Sequence, residues 1–155
     1  MSEGQSPSPG EQPRSLGRST LAVLAGFLAT ALISLATDQL FHVLKVYPPW
    51  GQAMDDPGQN ILALSYRILY GIGGGYLAAL LAPRNPMHHA IALGVVGLLP
   101  CIGGVAAATM VHLGPLWYPI ALLVTAFPSA WLGGTFYMRL SRARNPENGD
   151  RNSAA

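Results

Sequence analysis

The chain has 155 residues, half of them hydrophobic and only 10% charged, with a formal net charge of +2 and a single cysteine. A soluble domain carries about 25% charged residues, so the composition excludes an ordinary water-facing globule. The small positive excess gives no basis for a nucleic-acid partner, and one cysteine, Cys101, excludes an intrachain disulfide.

Residues 1–17, "MSEGQSPSPGEQPRSLG", hold almost no apolar side chains and read as a disordered tail. A first span follows at about 20–44. Arg14 and Arg18 precede it, and "SLA" at 34–36 has the look of a signal-peptide cleavage site. The apolar run is long for a signal and three more spans follow, which favours a retained helix. The second span is placed at about 58–82, with Asp56 as its cap, Pro57 in its first turn and "APRNP" as its end. The third is placed at about 87–113, closed by "GPLWYP", and the fourth at about 117–140. Pro100 and Pro128 fall inside the last two, where each frees a carbonyl and kinks its helix. Residues 141–155 read as a second disordered tail.

Roughly 20 apolar residues span a bilayer, so the expected fold is all-α: a four-helix transmembrane bundle of two antiparallel hairpins. Arg14, Arg18, Arg84, Arg139, Arg142, Arg144 and Arg151 all fall on one side of such a bundle. That asymmetry predicts cytoplasmic termini. Tyr47, Trp50, Trp117 and Tyr118 then form an outer aromatic belt.

Two charges stand inside the first two spans, Asp38 and Arg67. In steps of four, Ala22, Gly26, Thr30, Ser34, Asp38 and His42 make one ridge of the first span. Ala63, Arg67, Gly71, Gly75 and Ala79 make another on the second. Folding the two spans about Gln52 sets Asp38 level with Arg67, Ser34 with Gly71, Thr30 with Gly75 and Gly26 with Ala79. Small residues let membrane helices approach closely, and pairing lowers the cost of an intramembrane arginine, at least ~2.5 kcal/mol on insertion scales. The pair reads as a clasp of the hairpin; the alternative is a proton or ion site. In the third and fourth spans, Gly94, Gly97, Gly104 and Ala108 are expected to face Ser129, Ala130, Gly133 and Gly134.

His42, Tyr66, Tyr70 and His112 are candidates to line a polar outer cavity around the pair. Two histidines with Asp38 nearby also match a metal or haem site in principle, but no dense ligand motif accompanies them, so no metal or cofactor is expected. His88 and His89 point about 100° apart on a helix and suit interface contacts. "GIGGG" does not follow a strand, and no phosphate loop, dinucleotide fingerprint, HExxH, nucleophile elbow or CxxC is present. The two hairpins are faintly alike, "TDQLFHVLKVYPPW" with "ATMVHLGPLWYP", as a duplicated hairpin would be.

At "TDQLFH…YPPWG", "YRILYGIGGGYLAALLAP", "PMHHAIALG", "GPLWYPIALL" and "PSAWLGG", between residues 37 and 134, the chain resembles a set of small, uncharacterised bacterial four-span integral membrane proteins. The resemblance implies a multi-pass protein of the bacterial inner membrane and carries no activity. Small multidrug exporters share four spans and an acidic residue in the first, a likeness of analogy only. The expected role is structural, accessory or partner-binding, in contact with the lipid bilayer and with a second copy or another membrane protein. A small transporter or channel component is the alternative. An enzyme is the less favoured reading.

Overall fold

The computed structural model describes residues 12–111 and 113–144, with side chains described from residue 16 onward. Among these residues there are four helices and no strand: α1 (Gln12–Val43), α2 (Pro57–Leu81), α3 (Pro86–Met110) and α4 (Trp117–Arg144). Three segments, Leu16–Val43, Pro86–Met110 and Trp117–Arg144, are long and apolar enough to cross a membrane. The chain is thus a multi-pass helical membrane protein. α2 has the length, at 25 residues, but Arg67 and its glycine-rich centre dilute its apolarity.

The interior is built from small residues. Ala22, Ala63, Ala78, Ala79, Ala90 and Ala130 are buried, while Leu21, Leu28, Leu32, Leu69, Leu99 and Val124 are exposed. A water-soluble protein buries its leucines. In lipid no hydrophobic force drives helix to helix, so close backbone approach takes over and large apolar side chains face outward.

Boundaries follow local chemistry. α1 begins at Gln12, inside the expected tail, because Pro13 is harmless in a first turn whose N–H groups lack partners anyway. Lys45, at φ 58°, ends α1: Lys45 N–H donates to His42 O and Val46 N–H to Phe41 O. This is the reversed pattern that closes helices through a left-handed residue. Asp56 caps α2 by accepting from the N–H groups of Gly58 at 2.6 Å and Gln59 at 3.4 Å. α3 stops at Met110, three residues before the expected end, because Val111 is already extended and Gly114 takes a φ of 141°. α4 runs on to Arg144, where Arg142 and Arg144 lie in its last turn and complement the negative end of the helix dipole. The expected tails otherwise lie outside the described residues.

The tightest seam joins α2 to α4, followed by α3 with α4 and α1 with α2; α2 with α3 and then α1 with α3 meet more sparsely. This corrects the register drawn for the glycine ridge of α2. Gly71 meets Ser129, Gly75 lies against the Ala130 carbonyl, and Gly133 lies against Ile72 and Tyr76. Those glycines therefore serve the α2–α4 seam. α1 instead meets the neighbouring ridge, with Gly26 against Gly74 and Ala78 and Thr30 against Gly74. The Thr30 hydroxyl donates across the seam to Tyr70 O at 3.2 Å. Gly94 packs near Phe127 and Ala130, and Gly134 against Ala90 and Met87, but Gly97 and Gly104 face open space.

Candidate functional site

α1 and α2 bring Asp38, Tyr66 and Arg67 together near the end of their seam closed by the α1–α2 loop. Arg67 Nη2 lies 2.5 Å from Asp38 Oδ2, and the Tyr66 hydroxyl donates to Asp38 Oδ1. Residues 66 and 67 point in directions about 100° apart on their helix. Tyr66, on the ridge facing α1, meets the carboxylate directly, and Arg67, on the ridge facing α4, reaches it with a long side chain. The Arg67 guanidinium carbon also stands 5.9 Å from the centre of the Tyr118 ring, a cation–π arrangement contributed by α4.

A second layer of aromatic residues covers the pair. Tyr47 donates to the Tyr66 hydroxyl at 3.4 Å, and Phe41 packs between the Tyr47 and Tyr66 rings. Tyr47 is buried, whereas the sequence reading put it in the lipid-facing belt. Trp50 does face outward. Burial pushes the Tyr47 phenol above its ordinary pKa, with the Tyr66 hydrogen bond opposing the shift.

Two of the outer-cavity candidates, Tyr66 and Tyr70, lie side by side with ring centroids 5.6 Å apart. Tyr66 is committed to Asp38, and Tyr70 shares a 3.0 Å hydrogen bond with Thr37. His42 lies in the last turn of α1: its Nδ1–H donates to Pro48 O at 2.6 Å and its ring rests on Trp50, with centroids 4.0 Å apart. His112 lies outside the described residues. The α1–α2 and α3–α4 loops are tied to each other, through Met54 N–H donating to Leu113 O at 3.0 Å and Asn60 holding the Met54 carbonyl at 2.7 Å. Among the described residues no three His, Cys, Asp or Glu side chains converge.

A cavity of about 440 Å³ lies below the pair, lined by all four helices, with Asp38 of α1 and Arg67 of α2 on its wall. Its sides are otherwise mainly apolar and include Phe27, Leu35, Leu93, Pro100 and Leu122. The unfilled space beside Gly97 and Gly104 belongs to it. The sequence points to a polar cavity around the pair but not to this mainly apolar one, nor to the Tyr66–Asp38 bond. Glycines with no partner helix opposite them were the available signal for the cavity. Comparison with protein-family models, with curated proteins and with solved structures finds no match for this chain.

Proposed function

We propose that this chain is a four-span protein of the bacterial inner membrane, with both termini in the cytoplasm, acting as an accessory or partner-binding scaffold. The observation that carries this reading is the state of Asp38. Each of its oxygens accepts a hydrogen bond, one from Tyr66 and one from Arg67, and the residue is buried. A carboxylate that moves protons or cations must alternate between bound and free, whereas both oxygens of Asp38 are held by fixed neighbours on α2. The arrangement supports a fixed clasp. It also supports a fourth crossing by α2, since Arg67 enters the apolar layer with its counter-charge already engaged.

The basic residues in the first turns of α1, between α2 and α3, and at the end of α4 support the orientation. The outward leucines of α1 and the sparse contacts it makes with α3 leave a helix face available to a second copy or another membrane protein.

Purified protein in proteoliposomes tests the reading. The expected result is a vesicle tight to protons and monovalent cations, with Asp38→Asn lowering thermal stability in detergent and leaving the flux unchanged. A second reading, a small transporter or channel component, is favoured by the cavity at whose wall the pair stands. A cation or proton flux that disappears in a folded Asp38→Asn protein would establish it in place of the first.

A further inference from the structure

We infer that the cavity is a binding site for a glycerolipid of the surrounding bilayer, with one acyl chain along the cavity and an ester carbonyl accepting a hydrogen bond from Arg67. Shape is the first reason. α1 contributes wall residues from Phe27 to Asp38, α3 from Leu93 to Gly104, and α4 from Pro119 to Ala130. Each stretch advances about 16 Å at ~1.5 Å per residue, so the space is long and narrow. It has a polar end at the pair and a floor where Leu93 closes against Gly26. Leu35, Pro100 and Gly104 are exposed along one side, which lets a chain enter sideways from the lipid.

Chemistry at the polar end is the second reason. The Asp38 side chain is 8% exposed and that of Arg67 30%, so the group an occupant meets is the guanidinium. Both Asp38 oxygens already accept, whereas the Arg67 guanidinium, which lines the cavity, gives Nη2 to Asp38 and keeps an exposed part. Arg67 offers donors only. The group that complements its exposed part is therefore an acceptor. The charges of Asp38 and Arg67 cancel, so the site gives a lipophilic cation no attraction, and a neutral carbonyl fits better than an anion held beside a carboxylate.

Cys101 stands on the cavity wall and is the only cysteine of the chain, so its alkylation reports occupancy. The experiment uses the full chain in a steroid-based detergent, whose rigid rings do not enter a single-chain cavity, with N-phenylmaleimide labelling followed by intact mass. Monopalmitin, which carries one acyl ester and no charge, is expected to slow labelling several-fold and saturably. Palmitoyl lysophosphatidylglycerol is expected to protect less, and hexadecane and tetraphenylphosphonium not at all. Gly97 and Gly104 line the cavity and a Cβ on either meets nothing within 4 Å, so Gly97→Leu and Gly104→Leu are chosen to take up its space. Both variants are expected to melt like the parent and to lose monopalmitin in native mass spectra. Full-rate labelling at saturating monopalmitin overturns the inference. Equal protection by hexadecane or by the cation, or undiminished monopalmitin retention in both glycine variants, also overturns it.

Discussion

Asp38 takes hydrogen bonds from two residues adjacent in sequence, Tyr66 and Arg67, and the two bonds are unequal. Removing the carboxylate's charge leaves a guanidinium unpaired in an apolar layer, and breaking one partner of a buried pair costs about 3–5 kcal/mol. Removing the phenol takes away a hydrogen bond between membrane helices, worth about 0.6 kcal/mol on average. Asp38→Asn is therefore expected to lower the unfolding midpoint in a denaturing-detergent titration far more than Tyr66→Phe. The exchange Asp38→Arg/Arg67→Asp should recover part of the loss, though not the Tyr66 bond. If Asp38→Asn proves no worse than Tyr66→Phe, the charges do not hold the seam. The pair was legible in the sequence because nothing else in the two spans is charged and the loop fixes their level. Tyr66 was not legible as a partner, because a one-residue step turns a side chain by about 100°, and only the packed structure shows that both side chains reach one carboxylate.

α2 carries two small-residue ridges side by side, Tyr70–Gly74–Ala78 toward α1 and Gly71–Gly75–Ala79 toward α4. Sequence periodicity gives the spacing of each ridge but not its rotational phase. The assignment of Gly71 and Gly75 to α1 went wrong for that reason, while the level of the hairpin came out within about a residue. The four helices and most of their ends were legible, since caps, prolines and apolar length are local properties. Contacts between helices distant in sequence were not. The glycines give a sharp test. A Cβ on Gly73 meets nothing, whereas one on Gly75 strikes the Ala130 backbone. Gly73→Ala is expected to stabilise the protein by about 0.5–1 kcal/mol through helix propensity. Gly75→Ala is expected to destabilise it by about 1–3 kcal/mol through overpacking. The same titration reads both, and a Gly75→Ala midpoint at or above the parent's would remove the close α2–α4 seam.

For the whole molecule, the α1–α2 and α3–α4 loops are tied together by Met54 and Leu113, while the opposite end carries Arg84 and the basic end of α4, and the proposed orientation puts the tied loops outside. In a Cys101→Ser background, Gln52→Cys is expected to react with an impermeant maleimide from outside the cell. His88→Cys should react only after the membrane is opened. Labelling of both from one side would refute a bundle in which α2 crosses.

The clasp also constrains how the protein is made. α1 leaves the ribosome first and carries Asp38 into the membrane, and α2 arrives afterwards with an arginine that costs about 2.5–3.5 kcal/mol at a helix centre. In the proposed four-span arrangement, the carboxylate is already stationed beside the insertion path and α2 partitions as the second half of a pair. Integration of α2 would then depend on a residue in the helix synthesised before it. In a translocon insertion assay, Asp38→Leu is expected to raise the insertion of α1 and lower that of α2. For the nascent chain, α1 would act as the chaperone of α2.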